Sequence, residues 1–384
     1  MSKIWKRQWK LANGTESSAW IVDYFDNDKR RRFKAFKRRR DADAYLTKVR
    51  SEVAHGTHTA PSQSITVVEA AKKWLKHVEA EGREVTTLRQ YRQHVNLHIV
   101  PRIGSVKLAN LSSPRIQHLC DDWLADLSRP LARKVLVSLK SMLKYSHLSG
   151  LVAQNVAAPV RIKADMRRDK RSKLEAGKDM PTPSEVKAII DHAAEGRGRT
   201  LLMTAALMGL RASELRGLRW SDVNLKEAKI TVTQRADRYN TIGHTKSHAS
   251  ERTIPIPLQL VNTLKSWKLQ CPPSDQNLVF PTSSGHIQHH KNISERILAP
   301  AQVRGGVVDK EGKPKYSFHA LRHFYASWCI NRKKDGGLEL PLKVVQDRLG
   351  HASIVLTMDL YGHLFPSKDD GAELAAGVEA IFAT

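Results

Sequence analysis

A change in the spacing of apolar residues near position 40 constrains the fold of this chain most. Before that point large apolar residues alternate with polar ones, as around Trp20 and Val22, and after it they recur every three or four positions, as at Leu46 and Val49. Alternation is typical of strands, and the longer period is typical of amphipathic helices. We therefore expect residues 1–60 to form three strands followed by one helix.

The helical period continues through residues 64–156. Thr66 and Glu69 have the spacing of a capping box at the start of the first helix. Four apolar stripes follow, and they predict a four-helix domain. Residues 157–180 are rich in Lys and Arg and show no apolar period, which indicates a basic linker.

The largest predicted unit is residues 181–384, which begins with a second capping box at Thr182 and Glu185. Helical stripes dominate this unit, and three strand-like segments interrupt them at 222–233, 239–245 and 251–256. These segments predict one small antiparallel sheet. A Gly-rich polar stretch at 304–315 predicts an exposed hairpin or loop. The expected fold class is multidomain: a three-stranded sheet with a helix, a four-helix domain, and a mainly helical α+β domain.

The charge of the chain favours a polyanionic partner. Its 384 residues carry a formal net charge of +26, and its first 40 residues hold 13 Lys and Arg against four Asp and Glu. A cation near a phosphate releases condensed counterions, so clustered positive charge favours nucleic acid. The candidate DNA-contacting residues are Lys37, Arg38, Arg39 and Arg40 in the first domain, and Arg89, Arg92, Lys140 and Lys144 in the second.

Cysteine content and hydropathy indicate an intracellular protein. The three cysteines are far apart and form no CxxC pair, which argues against a disulfide framework and a cysteine-based zinc site. The longest apolar run, 201–210, is about half of a membrane span, and no apolar signal region follows the basic N-terminus. We expect a soluble cytoplasmic protein without a membrane partner.

Six polar residues of the last domain suit one chemical task when taken together. Alone, each has an ordinary structural interpretation, such as a surface cation or a half-buried tyrosine. As a set they supply the groups needed to hold a phosphodiester while a tyrosine attacks it. They are Arg211, Lys246, His319, Arg322, His351 and Tyr361.

Each of these groups has a distinct expected role. A phenol with an ordinary pKa near 10 is a poor nucleophile at neutral pH, and nearby cations are expected to lower that pKa. Arg211 and Arg322 can clamp the non-bridging oxygens of the phosphate. Lys246 can protonate the departing 5′ oxygen as general acid. The two histidines can donate hydrogen bonds to the phosphate and assist proton transfer, without the sequence deciding which does which.

The strings that carry these residues resemble the motifs of the tyrosine recombinases, the phage integrase family. The matching boxes are GLRASEL around Arg211, the strand-turn lysine at Lys246, HALRH from His319, LGH ending at His351, and the box of Tyr361. The resemblance implies that residues 1–60 are an arm-type DNA-binding domain, residues 64–156 a core-type DNA-binding domain, and residues 181–384 the catalytic domain with a C-terminal tail.

The resemblance also implies an activity. It suggests a site-specific recombinase that cleaves and rejoins DNA through a 3′-phosphotyrosyl bond at Tyr361 and integrates or excises a phage or mobile element. Neither ATP, metal nor another cofactor is expected, because the covalent bond conserves the phosphodiester energy. The implied partners are double-stranded DNA with core and arm sites, three further copies of the chain in a tetramer, and DNA-bending and directionality factors. The implied location is the nucleoid in a bacterial host cytoplasm.

Other interpretations remain open from the residues alone. A catalytically silent DNA-binding regulator would share the basic modules but has no physical need for the six-residue set. A type IB topoisomerase shares the tyrosine chemistry, and a metal-dependent transposase would need an acidic triad that does not stand out. The cluster of His286, His289 and His290 favours a polar loop over a metal site, because carboxylates and cysteines are missing nearby.

Overall fold

The computed structural model of the chain describes residues 2–10, 14–26, 29–54, 64–163, 174–245, 250–365 and 371–383. Lys246 and part of the predicted linker, residues 164–173, lie outside these ranges. The backbone divides into two compact units, residues 1–167 and 168–384. The finer domain boundaries expected from the sequence stay predictions.

The first unit begins with the predicted three strands and one helix. The strands β1 and β2 pair antiparallel, as do β2 and β3. One face of the sheet packs against α1 through Val22, Tyr24, Leu46 and Val49, which are buried. The elements are β1 Lys3–Lys10, β2 Glu16–Phe25, β3 Arg31–Phe36 and α1 Arg39–Ala54.

The rest of the first unit is helical, as the apolar stripes predicted. Thr66 and Glu69 form the expected capping box, since the Thr66 backbone N–H donates to Glu69 at 2.7 Å and the Glu69 N–H donates to Thr66 at 3.3 Å. Trp74 and Trp123 lie at the centre of the core. The helices are α2 Val67–Ala80, α3 Val85–Gln93, α4 Val100–Ile103, α5 Ser113–Asp126 and α6 Arg129–Leu148.

The second predicted helix of this domain continues past a proline because the turns just before the proline are wider than α-helical turns. Between α3 and α4 the residues His94–Ile99 form π-helical turns just before Pro101. Proline has no backbone N–H and clashes with the carbonyl four residues earlier, and a wider turn removes both problems. The same device precedes Pro300, where Ile293–Leu298 is π-helical.

The second unit is mainly helical, as expected. Its core is built on two helices: Arg197–Met208 (α8), which is buried along most of its length, and Phe318–Ile330 (α13). Its helices are α7 Pro183–Asp191, α8 Arg197–Met208, α9 Ala212–Arg216, α10 Leu258–Gln270, α11 His290–Asn292, α12 Ala299–Arg304, α13 Phe318–Ile330, α14 Leu342–Leu349, α15 Ile354–Tyr361 and α16 Gly371–Phe382.

Within the described residues, the strands of the second unit form two sheets, where the sequence predicted one. Sheet β4–β5–β8 and sheet β6–β7 are both antiparallel. The predicted strand 222–233 breaks at a tight turn with Ala228 at φ 51°, a local change that alternation does not reveal. The expected hairpin at 304–315 closes with Val308 paired to Pro314. The strands are β4 Val223–Asn224, β5 Lys229–Val232, β6 Gln234–Ala236, β7 Ile242–His244 and β8 Arg252–Pro255.

Candidate active site

The ends of α8 and α14 and the middle of α13 bring most of the six predicted residues together. Gly209 ends α8 in the left-handed conformation at φ 59°, and a Cβ there would lie 2.2 Å from the Tyr325 ring. Only glycine fits such a position. The chain therefore turns sharply and Arg211 follows as the N-cap of α9.

Arg211 is fixed on one side and open on the other. Its Nη1 donates to Glu214 Oε1 at 2.7 Å and its Nη2 donates to the Gly350 carbonyl at 2.9 Å. The Glu214 carboxylate also accepts the Arg211 backbone N–H at 2.9 Å. About a third of the Arg211 side chain, 34%, remains exposed. A guanidinium in this state is oriented and still able to bind an anion.

Arg322 occupies the buried side of the same site. Its Nη1 donates to the Gly209 carbonyl and its Nη2 to the Leu349 carbonyl, both at 2.6 Å. Burial lowers the pKa of Arg322 to about 9, with Arg211 adding to the effect and Glu214 opposing it, so the group stays charged at neutral pH. Two arginines thus flank the end of α14.

His351 follows that helix end and faces the tyrosine. Gly350 stops α14 at φ 63°. The His351 Nδ1 lies 2.9 Å from the Thr357 hydroxyl, and its ring is nearly parallel to the Tyr361 ring, at 4° with 6.5 Å between centroids. Burial, Arg322 and Arg211 lower the pKa of His351 to about 4. The imidazole is therefore neutral at physiological pH.

Tyr361 ends α15 and is 1% exposed. Its hydroxyl oxygen lies 2.6 Å from Nδ1 of His323. The expected lowering of this phenol's pKa by nearby cations is present, but it is the smaller effect in the DNA-free chain. Burial raises the pKa to about 12, and this outweighs the opposite effect of Arg322 and Arg211. To act as a nucleophile, this phenol would need a proton acceptor.

His323 is the functional candidate to which sequence reasoning gave no role. It lies one turn after His319 on α13, and the two rings meet edge to face at 4.7 Å between centroids. Burial and Arg322 lower the pKa of His323. The signal was available, because positions i and i+4 share a helix face and the HALRH box contains both histidines.

His319 is the more exposed member of this histidine pair. Shielding by surrounding protein lowers its pKa, and the charges of His323, Arg322 and Arg211 lower it further. Like the others, this imidazole is neutral at pH 7. Its exposed position at the start of α13 leaves it accessible to a ligand at the surface.

Lys246 lies outside the described residues, so its predicted role is not tested. The chain on either side of it, at Thr245 and Ser250, lines a cavity of about 340 Å³ that also contacts Arg211. Glu214 and Leu356 complete much of its wall. The cavity is therefore next to the cationic site just described.

Comparison with protein families decides the classification. The model of the phage integrase family matches residues 180–368, and the model of the phage integrase N-terminal SAM-like domain matches residues 66–124. Together they cover well over half of the chain. The chain belongs to the phage integrase family. It is a tyrosine-type site-specific recombinase, an enzyme of DNA recombination.

Individual relatives agree with this classification. The recombinase is 24% identical over 362 residues to a XerC-like tyrosine recombinase of Caldanaerobacter subterraneus, covering 88% of each chain. It is also 24% identical to an integrase of Streptomyces ambofaciens over 362 residues, 89% of this chain and 87% of that one.

Solved structures show the same fold. The Tn1549 transposon integrase bound to a circular intermediate DNA aligns with a TM-score of 0.63 at 16% identity, over 83% of this chain and all of that one. A lambda integrase tetramer bound to a Holliday junction aligns with a TM-score of 0.56 at 16% identity, over 94% of each chain.

The basic run of the recombinase's N-terminal module lies beside an aromatic residue, Trp20. Arg39 begins α1 and lies over the Trp20 ring at 5.3 Å. Lys37, Arg38 and Arg40 are exposed. The surface thus combines charge with stacking groups, which suits nucleic acid, and contact with DNA stays a prediction.

The predicted core-type contacts are less uniform. Arg89 and Lys144 are exposed, whereas Arg92 pairs with Glu79 at 2.9 Å. Lys140 donates to the Ala158 carbonyl at 3.1 Å and is half-buried. Lys140 therefore helps to fix the segment after α6, in addition to any role in binding.

The described part of the recombinase lacks both a cluster of metal ligands and a membrane-spanning helix. No three metal-ligating side chains come together there. His289 instead contacts the Asn240 amide at 3.0 Å, and His290 packs edge-on against Phe318. Nor does that part contain a helix with the length and apolar character needed to cross a membrane.

Proposed function

We propose that this recombinase integrates and excises a phage or other mobile element, and that Tyr361 forms a 3′-phosphotyrosyl bond with each cut strand. The contact of 2.6 Å between the Tyr361 hydroxyl and His323 carries the proposal. It joins the nucleophile to a neutral base on α13, the helix that also supplies Arg322. A structural tyrosine has no need for this arrangement.

The arginines supply the transition-state stabilisation. Charge gathers on the non-bridging oxygens when a nucleophile attacks phosphorus, and fixed guanidinium groups stabilise it without having to reorganise. The internal bonds of Arg211 and Arg322 fix their orientation before DNA arrives. The exposed part of Arg211 makes it the first group that a phosphate meets.

Proton transfer from Tyr361 is the step that His323 supports. A phenol with a pKa of about 12 is neutral at pH 7, and His323 with its lowered pKa is neutral as well. The hydroxyl can donate its proton to Nδ1 as the O–P bond forms. The resulting imidazolium lies close to the negative phosphate, which stabilises it.

Lys246 completes the proposed reaction as the general acid that protonates the leaving 5′ oxygen. The freed 5′ hydroxyl then attacks the phosphotyrosyl bond of a partner duplex. Each step exchanges one phosphoester for another, so the bond energy is conserved. No cofactor is assigned to the proposed reaction.

Assembly on DNA is the second part of the proposal. The outer face of α15 exposes Ile354, Val355 and Met358, and α16 exposes Ile381 and Phe382. Such apolar patches indicate a protein contact. We assign them to contacts between copies of the recombinase in a tetramer on core-site DNA, with α16 passing to a neighbouring copy.

The N-terminal module is assigned to arm sites on the same DNA. Trp5, Trp9 and Phe33 are exposed on the sheet face opposite α1. An arm-bound module would place the recombinase where DNA-bending and directionality factors act. The setting of this reaction is the nucleoid of a bacterial host.

The test is recombination between two plasmids that carry the element's junction and target sequences, scored by amplification of the product joints. The wild type is expected to form joints, and Tyr361→Phe, which loses only the hydroxyl, none. Tyr45→Phe is the matched control, since its phenol lies in the N-terminal module against Tyr24. Joints formed by Tyr361→Phe at the wild-type level would refute the proposal.

A further inference from the structure

The end of α14 is held by three arginines that act on three successive carbonyl groups. Arg252 Nε donates to the Arg348 carbonyl at 2.7 Å, while Arg322 and Arg211 donate to the carbonyls of Leu349 and Gly350. The last carbonyls of a helix have no partner within it and carry the negative end of its dipole. Three cations there stabilise the helix end that leads directly into His351.

Arg252 differs from Arg211 in its exposure and in the number of hydrogen bonds that its guanidinium makes to the protein. Its Nη2 donates to Glu214 Oε2 at 2.8 Å, and its Nη1 donates to the Ser250 carbonyl at 2.9 Å and to Glu214 Oε1 at 3.3 Å. Its side chain is 5% exposed, against 34% for Arg211. Arg252 therefore cannot be a DNA contact, and its effect must pass through other residues.

Glu214 is the residue through which Arg252 reaches Arg211. Its carboxylate is 3% exposed and accepts from both arginines. Burial alone would raise the pKa of Glu214, but the charge and hydrogen bonds of Arg252, with the charges of Arg211 and Arg322, lower it to about 2. Glu214 is thus a permanent anion shared between two guanidinium groups.

Because Arg252 and Arg211 share the Glu214 carboxylate, Arg252 limits how strongly that carboxylate attracts the Arg211 guanidinium toward the protein interior. With Arg252 present, Glu214 Oε2 accepts from Arg252 Nη2 and from the Arg211 backbone N–H, and the Arg211 guanidinium donates only to Oε1. Without Arg252, both carboxylate oxygens would attract Arg211, because a carboxylate and a guanidinium prefer a two-bond pairing. Arg211 would then turn away from the surface where a phosphate binds.

We propose that Arg252 is a positioning residue of this recombinase, which holds Arg211 and the backbone leading into His351 at the separation that one phosphate requires. The proposal rests on the proposed function of Arg211 and His351. Gly350 supports it, because a Cβ at that position would lie 2.8 Å from Arg252 Nη1. The helix end and the third arginine are therefore in direct contact.

The test measures single-turnover cleavage of a nicked duplex carrying the core sequence at which the wild type forms its covalent adduct. Arg252→Lys keeps the charge and loses the fork, and we expect it to slow cleavage about 100-fold, as small misplacements of catalytic groups do. DNA affinity should stay unchanged. Arg219→Lys is the matched control, since Arg219 makes a two-bond pair with Asp222 in the same unit, and its cleavage rate should equal that of the wild type.

A double-mutant cycle distinguishes positioning from a merely structural role. If Arg252 acts through Arg211, Arg252→Lys should slow an Arg211→Lys enzyme far less than it slows the wild type, because the group it positions is already altered. Effects that simply multiply would overturn the proposal, as would an Arg252→Lys enzyme that cleaves at the wild-type rate.

A second variant tests whether slow cleavage reflects misfolding. Arg252→Met takes one of its two guanidinium partners from the buried Glu214 carboxylate and leaves Arg211 as the other, so Arg252→Met with Glu214→Gln removes the anion together with the lost cation. This pair should melt close to the wild type and still cleave slowly. Fast cleavage by the folded pair would overturn the proposal. Absence of adduct from the wild type on every core duplex tried would instead count against the proposed function itself.

Discussion

Two cation-rich regions of this recombinase differ in how far their cations are hydrogen-bonded within the protein and exposed to water. In the second unit, Arg211, Arg252 and Arg322 donate to carbonyl and carboxylate groups of the protein and are largely withdrawn from water. In the N-terminal module, the run from Lys37 to Arg40 is exposed, and Arg39 lies over the Trp20 ring.

We expect this difference to correspond to two roles, stabilisation of a transition state and binding along a DNA duplex. Cations fixed by internal bonds present one geometry, which suits a single phosphate in a transition state. Exposed cations adapt their side chains and suit a row of phosphates along a duplex, where their contribution depends on salt. The first kind should control the rate of cleavage, and the second should control affinity.

The largest expected effect is that of Arg322→Ala. This change removes one phosphate clamp and leaves the Gly209 and Leu349 carbonyls without their donor. Cleavage of the nicked core duplex should slow about 1,000-fold, or about 4 kcal/mol, while the salt dependence of binding stays unchanged. A change in salt dependence with little change in rate would reverse the comparison between the two regions.

His323→Gln should have the next largest effect. It removes the proton acceptor of Tyr361, and general base catalysis is worth about 100-fold or more. Because the neutral form of His323 is needed and its pKa is lowered, the wild-type rate should fall only in acid, below the ordinary histidine pKa of about 6.5. His118→Gln, an exposed histidine on α5, is the control. A His323→Gln rate equal to that of the control would remove His323 from the mechanism.

Acid should destabilise the second unit through His351. Its pKa falls from 6.5 in the unfolded chain to about 4 in the folded one, so its stabilising contribution is present above pH 6.5 and is lost as the pH falls toward 4. Urea unfolding should show about 2 kcal/mol less stability at pH 5 than at pH 7 from this residue. His351→Gln should reduce that difference. An unchanged pH dependence in the variant would show that the buried imidazole is not responsible.

The smallest effect is expected in the N-terminal module. Replacing Lys37, Arg38, Arg39 and Arg40 with Gln should weaken binding to arm-site DNA about tenfold and lower the salt slope by a few units. The cleavage rate on the nicked core duplex should not change. A slower cleavage step in this variant would mean that the exposed charges also act at the catalytic centre.

Much of the fold followed from the sequence because the signals were local. Capping boxes at Thr66 and Thr182 and the helix stop at Gly209 depend on neighbours a few residues away. The division of the strands into two sheets was missed, because β5 and β6 are separated only by Thr233 and yet pair with different strands, a choice that depends on tertiary contacts. The break of the predicted strand 222–233 at Ala228 and the π-helical turns before Pro101 and Pro300 are further differences in local structure.

Less of the site could be predicted, since its properties are tertiary. The sequence indicated the groups that come together within the described residues, while Lys246 stays a prediction. It anticipated the lowering effect of the cations on the pKa of Tyr361 but not the larger raising effect of burial, because burial cannot be deduced from a motif. His323 received no role although its box was recognised. Arg252 acts through a buried carboxylate, and its position in a strand after a polar turn carries no sign of that contact.

The most direct test of the account is to map the covalent bond. The wild-type adduct on a nicked core duplex would be digested with nuclease and protease, and the peptides that keep a nucleotide would be sequenced by mass spectrometry. We predict one such peptide, with the phosphate on the hydroxyl oxygen of Tyr361 and joined to a 3′ end. A nucleotide on any other side chain, or on a 5′ end, would contradict the account.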